Sequence, residues 1–292
     1  MTRVLPALIA LTLAAPAPAL ARKHSRAIPV YTRAGMPNVQ AQAATVVDLS
    51  TGEELLAKNA DEVRPIASIS KLMAVLVVLD HKLDLEASTT ITDGDRAIAS
   101  GGARSRLPVG LTFSNRDLLH AALMASDNRS VPALGRAVGM EPPALVTAMN
   151  AKALELGLKN TRFQDPVGLN SNNTSTARDL VGLLRAAMKN ETITGITQKA
   201  RYVAHPVGKP GSTIEYTNTD VLARSQRWDV ITGKTGYTDL ALYCLAVAVR
   251  FQTERPVAMV FLGAVGKMTR FGDFSRVAQW LTDRKWTKRA GL

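Results

Sequence analysis

"PIASISKLMAVLVVLD", residues 65–80, reads as a buried helix that opens on polar side chains. Every residue from Leu72 to Leu79 is apolar, yet Ser68, Ser70 and Lys71 stand at the start. A lysine is costly to bury unpaired, so either this one lies at the surface or a site requires it. On a helix, positions i and i+3 share a face and positions i and i+1 do not. Lys71 therefore reaches the hydroxyl of Ser68 and not that of Ser70. A serine is a weak nucleophile until a nearby base takes its proton. A lysine serves as that base only when neutral, which burial or a neighbouring cation achieves. The start of a helix also offers free backbone N–H groups for a developing oxyanion.

Two further clusters complement this pair. Ser126-Asp127-Asn128 falls at the end of the helical pattern "NRDLLHAALMAS", residues 115–126. Ser126 brings a second hydroxyl and Asn128 an amide, suited to relaying a proton and holding a peptide. Lys234-Thr235-Gly236 falls in a predicted strand, "DVITGKTGYT", residues 229–238. There Lys234 and Thr235 can hold a carboxylate, and Gly236 lets a ligand approach the backbone. If the two lysines are close, Lys234 should also depress the pKa of Lys71. Gly233-Lys234-Thr235 imitates the end of a phosphate-binding loop, but Trp228 stands where that loop needs glycine and a strand surrounds it.

The rest of the chain organises around these clusters. "AATVVDLSTGEELLAKNAD", residues 43–61, reads as a strand, a turn and a strand. "PPALVTAMNAKALELGL" (142–158) and "TARDLVGLLRAAMKN" (176–190) are helical, the second with Ser175 or Thr176 as its cap. Strands return in "WDVITGKTGYT" (228–238), "LALYCLAVAVRF" (240–251) and "PVAMVFLGAVG" (256–266), the last two joined around 252–255. "GDFSRVAQWLTD" (272–283) is a final amphipathic helix. Strands at both ends with helices between them predict one sheet completed by both ends of the chain and covered by helices.

The first 27 residues, "MTRVLPALIALTLAAPAPALARKHSRA", carry a charged start, an apolar stretch broken by Pro6, Pro16 and Pro18, and an Ala19-Leu20-Ala21 cleavage pattern. That is a secretory signal over residues 1–21. Residues 22–43 read as a basic flexible arm, and 44–292 as the catalytic domain, with a helical part inserted at roughly 68–195. The formal charge of +12 attracts polyanions. The basic residues are scattered and only 5% of the chain is aromatic, which argues against a nucleic-acid partner. Peripheral contact with wall or membrane polyanions fits such a charge. The single cysteine, Cys244, lies in an apolar run and reads as a core thiol. The four histidines show no ligand spacing, so neither a metal nor a cofactor is expected.

S-x-x-K, S-D-N and K-T-G in that order, 58 and 108 residues apart, form the signature of penicillin-binding proteins and class A β-lactamases. The chain resembles the low-molecular-mass penicillin-binding proteins, the serine-type D-alanyl-D-alanine peptidases, over residues 40–285. "FQDPVGLNSNNTSTARDL" (163–180) is similar to a hallmark of that family. "GGARSRLPVG" (101–110), "MNAKALELGLKNTRF" (149–163) and "FLGAVGKMTRFGD" (261–273) are closer to its D-alanyl-D-alanine endopeptidase branch. The resemblance implies an α/β (α+β) fold of β-lactamase/DD-peptidase type, with a mainly antiparallel sheet. It implies peptidoglycan stem peptides as substrate, β-lactams as covalent inhibitors of Ser68, and a periplasmic location. It also implies roles. Ser68 is the nucleophile and Lys71 the base, with Ser126 and Asn128 assisting. Lys234 and Thr235 bind the terminal carboxylate. The N–H groups of Ser68 and Tyr237 form the oxyanion hole. A carboxypeptidase that trims stem pentapeptides is the alternative. Carboxypeptidases of this family often add a C-terminal β-domain and anchor, for which this sequence ends early. A wall-binding protein without turnover is a weaker reading. A class A β-lactamase needs an E-x-x-L-N glutamate, and Glu141 and Glu155 are followed by the wrong residues. One position departs from the family pattern: Leu242 stands where T-x-x-A-G-x-C has glycine.

Overall fold

Five strand segments from the two ends of the chain build one sheet. The computed structural model describes residues 28–251 and 255–284; the expected signal segment and most of the turn at 252–255 lie outside them. β1 (Ala43–Asp48) and β2 (Glu54–Lys58) form the first hairpin. The long insertion that follows carries three short antiparallel pairs. These are β3 (Arg64–Pro65) with β6 (Thr174–Ser175), β4 (Ser88–Thr90) with β5 (Thr112–Ser114), and β7 (Arg201–Ala204) with β8 (Ile214–Thr217). The chain then returns through β9 (Asp229–Thr238), β10 (Leu242–Arg250) and β11 (Pro256–Ala264). The sheet order is β2-β1-β11-β10-β9, antiparallel throughout, so β9 is an edge strand.

Helices α1 (Ser70–Asp80), α2 (Asp93–Ile98), α3 (Asn115–Leu123), α4 (Ser130–Ala137), α5 (Pro142–Glu155), α6 (Ala177–Met188) and α7 (Glu191–Thr197) fill the insertion. α8 (Val221–Ser225) precedes β9, and α9 (Thr269–Asp283) follows β11. Local chemistry sets several of their starts. Pro142 and Pro143 occupy the first positions of α5, where a missing N–H costs nothing. The Thr176 and Ser114 hydroxyls cap α6 and α3 by accepting from Asp179 N and Asp117 N.

Both faces of the sheet are covered, which explains why β10 and β11 are apolar runs rather than alternating ones. Cys244, Ala246 and Ala248 of β10, with Ala258, Val260 and Leu262 of β11, join the core shared with α1 and α6. Their neighbours Leu245, Val247, Val249, Val257, Met259 and Phe261 join a second core under α9. The small side chains on the first face let α6 sit close to the sheet. Cys244 is fully buried there, and burial pushes its thiol up to about 11, as expected of an inert core cysteine.

The structure corrects the opening stretch. Residues 65–80 are not one helix. Pro65 pairs with Thr174, Ala67 adopts a left-handed backbone (φ +48°), and Ala67–Ile69 form a 3₁₀ turn before α1 begins at Ser70. The pairing inferred for Ser68 and Lys71 survives because side chains at i and i+3 also eclipse in a 3₁₀ turn. Leu242 is also explained. It adopts φ +56° at the start of β10, next to a register shift between Tyr243 and Leu245. Glycine takes that conformation freely, whereas a leucine there costs about 1 kcal/mol.

The described part of the expected flexible arm, from residue 28 onward, is instead tied to α9. The buried Asp273 carboxylate accepts from Gln40 N at 2.7 Å and Ala41 N at 2.8 Å, and also pairs with Arg276. Tyr31 hydrogen-bonds Asp283. Asp273→Ala should leave one buried and one half-buried N–H group unsatisfied and lower unfolding stability by about 2 kcal/mol, read as a fall in the urea midpoint at unchanged slope.

Candidate active site

Lys71 is fully buried, and its amine sits among three oxygens. Nζ lies 2.8 Å from Ser68 Oγ, 2.7 Å from Asn128 Oδ1 and 2.6 Å from the Val167 carbonyl oxygen. Ser68, by contrast, is only half-buried and reaches solvent. Ser70, the other serine of the stretch, points away. It is fully buried, donates to the Ala67 carbonyl at 2.8 Å and accepts from Asn173 Nδ2 at 3.0 Å.

The S-D-N cluster follows α3 and touches both lysines. Asn128 accepts from Lys71, and Ser126 Oγ accepts from Lys234 Nζ at 2.9 Å. Ser126 holds a left-handed backbone, φ +61°, to do so. With Ala67, this places two non-glycine outliers within the cluster, each costing about 1 kcal/mol, in the pattern that functional sites show. The buried Asp127 side chain faces the other way and organises the loop at 104–107. It accepts from Ser105 Oγ at 2.7 Å, Arg106 N at 2.9 Å and Arg129 N at 2.9 Å.

β9 supplies the third group. Lys234 pairs with Ala246 of β10, so its side chain emerges on the helical face of the sheet. Its amine also donates to the Thr235 carbonyl at 2.9 Å, and the Thr235 hydroxyl meets that of Thr219 at 2.7 Å. A Cβ on Gly236 would lie 2.7 Å from the Ile66 carbonyl oxygen and 3.2 Å from Ser68 N. Glycine is therefore what lets β9 lie against the 3₁₀ turn that carries Ser68. Tyr237 is exposed, stacks on Tyr243 with ring centroids 4.2 Å apart, and hydrogen-bonds Asp239. As an edge strand, β9 presents alternate N–H and C=O groups to this cleft. Ser68, Lys71, Ser126, Asn128, Lys234 and Gly236 thus lie together, with Thr235 and Tyr237 beside them on β9.

Burial dominates the electrostatics. It lowers the Lys71 amine to about 7, against the opposing pull of Asp165 and Asp127. Lys234 is also held well below the usual lysine range, first by burial and then by the charges of Lys71 and Arg270. Desolvation, rather than Lys234, is the main cause of the Lys71 depression, and the repulsion between the two amines acts on Lys234.

The 163–180 stretch contributes to the site through residues other than the cap candidates Ser175 and Thr176. Asp165 Oδ1 accepts from Val167 N and Gly168 N, each at 2.6 Å, and the tight loop aims the Val167 carbonyl at Lys71. Asn173 fastens the loop by accepting from Gln164 N at 2.7 Å and donating to Asp165 O at 2.8 Å and to Ser70. Gly168 (φ +85°) packs so close that a Cβ would fall 2.0 Å from the Ala67 carbonyl oxygen. The sequence reading missed Arg270 of α9. It is buried beneath β9 and donates to the Gly236 carbonyl at 2.9 Å and the Cys244 carbonyl at 3.0 Å. Its place in "FLGAVGKMTRFGD" was the only signal. Among the described residues no group of histidine, cysteine and carboxylate side chains could hold a metal.

Comparison with known proteins agrees with this geometry. Residues 30–266 match the D-alanyl-D-alanine carboxypeptidase family model. The chain is 38% identical over 278 residues to a D-alanyl-D-alanine endopeptidase of Escherichia coli, covering 95% of this chain and 87% of that protein. It is 40% identical over 253 residues to one of Pseudomonas aeruginosa, covering 85% and 80%. The Streptomyces K15 DD-transpeptidase superimposes with a TM-score of 0.78 at 29% identity, covering 85% of this chain and 98% of that one. With the three clusters gathered around one buried amine, these matches establish that the chain belongs to the D-alanyl-D-alanine carboxypeptidase family and is a serine-type DD-peptidase.

Proposed function

We propose that this enzyme is a D-alanyl-D-alanine endopeptidase that opens peptidoglycan cross-links through an acyl-enzyme on Ser68. The observation that carries the mechanism is the setting of Lys71. A neutral amine has two N–H donors and one lone pair. The Asn128 side-chain oxygen and the Val167 carbonyl take the two N–H groups, which leaves the lone pair facing the Ser68 hydroxyl. Ser68 O–H then donates to Lys71, and its oxygen attacks the D-Ala carbonyl as the proton passes to the amine. The carbonyl oxygen becomes the oxyanion, held by the backbone N–H groups of Ser68 and Tyr237. Ser126, positioned by Lys234, protonates the departing amine and regains its proton from the Lys71 ammonium, which returns that base to its neutral form. Lys234 and Thr235 bind the carboxylate of the leaving residue. Gly236 leaves room for the peptide to lie along the edge of β9, a mode in which main-chain hydrogen bonds supply affinity. Water releases the acyl group. β-Lactams acylate Ser68 by the same path. The reading places the enzyme in the periplasm, delivered by residues 1–21, with residues 44–292 as its catalytic domain.

The endopeptidase reading rests on the relatives that carry that activity in their names across most of this chain. Chromatography after incubation with defined muropeptide dimers and monomeric pentapeptides tests it. Conversion of dimer to monomer is expected; loss of only the terminal alanine from monomer identifies a carboxypeptidase instead. Ser68→Ala should abolish both activities and β-lactam labelling. Ser70→Ala should retain labelling while losing about 1–2 kcal/mol of stability, because Asn173 loses a buried partner.

The pH profile follows from the sign of the Lys71 shift. The amine is depressed to about 7, so it is neutral above that pH and protonated below it. Acylation by a β-lactam should rise as pH increases through about 7 and level off above it. At pH 5 it should run about 100-fold below the plateau, one factor of ten per pH unit. A profile flat between pH 5 and 8 contradicts Lys71 as the base.

Gly168→Ala should remove labelling without changing any functional side chain of the site. Its Cβ collides with the Ala67 carbonyl and displaces both the turn that carries Ser68 and the Val167 oxygen. Mass spectrometry of the acyl-enzyme reads the loss, alongside a lowered midpoint of thermal unfolding.

A further inference from the structure

A groove of about 510 Å³ opens beside the site, lined by Arg104, Arg106, Arg129, Leu107, Pro108 and Ile214. Three arginines gather in this one groove, and no Asp or Glu is among its lining residues. Several arginines elsewhere sit on carboxylates, such as Arg136 on Asp95, Arg178 on Glu54 and Asp61, and Arg250 on Asp229, while Arg162 and Arg185 bond only backbone carbonyls. Among the described residues none of the three groove arginines forms an ion pair, and Arg104 makes no hydrogen bond at all. Arg106 is anchored to the Glu215 carbonyl and lies 5.7 Å from the Tyr216 ring centroid. Arg129 donates to the Leu107 carbonyl at 2.6 Å, and its Nε is buried without a partner. The nearby Asp127 carboxylate is buried and occupied by Ser105 and two backbone N–H groups, and that of Glu215 faces Arg201. The result is a preformed, uncompensated positive cleft.

The groove has a defined position relative to the chemistry. The loop that carries Arg104 and Arg106 is fastened to Asp127, whose neighbour Ser126 meets Lys234. A Cβ on Gly102 would lie 2.3 Å from Asn128 Nδ2, so the same loop lies directly against the S-D-N cluster. This flank is where the proposed mechanism protonates and releases the leaving amine. In a cross-link that amine carries a second peptide with free carboxylates of its own; in a monomeric stem peptide it carries one D-alanine. Guanidinium groups bind carboxylates through paired, charge-assisted hydrogen bonds.

We infer that this arginine-lined groove is the subsite for the leaving half of the cross-link, binding the carboxylates of the second stem peptide. The inference rests on the endopeptidase reading and supplies its physical basis. Cross-linked substrate gains contacts that a monomer lacks, and the enzyme discriminates by kcat/KM.

Steady-state cleavage by the full-length protein tests this, with muropeptide dimers, dimers amidated on the leaving half, and monomeric pentapeptide as substrates. Arg104→Glu is the main variant, because Arg104 holds nothing else in place; Arg106→Gln, which keeps a donor for Glu215, is the second. Each should lower kcat/KM for the native dimer, by about tenfold for the charge reversal and about threefold for the neutral change. Cleavage of the amidated dimer, turnover of the monomer and the rate of β-lactam acylation should stay within twofold of wild type. Equal losses on all substrates, or no loss on the native dimer, overturn the groove assignment while leaving the endopeptidase reading intact. A wild-type protein that turns over monomer and ignores dimer overturns the endopeptidase reading, and the subsite with it.

Discussion

The site depends on an uncharged amine held in a place from which water is excluded. An ammonium in such a position has a large desolvation cost, so the lysine titrates near neutrality instead. Once neutral, it has a lone pair to direct, and direction is what its three oxygen neighbours supply. Two are acceptors that cannot give a proton away, the Asn128 amide oxygen and a backbone carbonyl; the third is the hydroxyl to be activated. Much of the surrounding architecture serves to hold those oxygens still.

That architecture uses stiff parts. α1 is buried from Ser70 to Val78 and anchors Lys71 in the main core. The 163–180 loop is fixed by Asp165 and Asn173, which satisfy its backbone N–H groups internally and so let it carry a carbonyl into the site. Gly168 and Gly236 are the two places where backbone must pass backbone closer than a Cβ allows. Arg270 reaches from α9 to the carbonyls of β9 and β10, so the helix on the far face of the sheet steadies the strand that lines the cleft. The same logic extends to the loop at 101–108, where Asp127 holds one wall of the cleft and the arginines of the adjoining groove together.

Several features of the chain were legible because they are local. Apolar runs in β10 and β11 and proline at the start of α5 report on the nearest few residues. The break in the opening stretch was not legible. Pro65 pairs with Thr174, more than a hundred residues away, and that pairing, with a left-handed Ala67, replaces the first helical turn. Leu242 looked like a simple departure from a pattern. Its positive φ shows what glycine does at that corner, a backbone property that residue identity alone does not reveal. The basic segment before β1 looked free because composition carries no information about the Asp273 carboxylate waiting for its N–H groups.

By itself the sequence determined the inventory of reactive groups and their pairing within one turn. Ser68 and Lys71 must meet, because three residues' separation brings side chains together in either helical form. It also determined that strands from both ends would build the sheet. Only the tertiary structure decided that Lys71 would be neutral, since burial comes from elements distant in the chain. Only it brought Val167, Gly168 and Arg270 to the site, and only it left three arginines facing one groove with no carboxylate to meet them. Hydrogen bonds, desolvation and unpaired charge act through space, and the spacing of residues along a chain records them only where the contact is local.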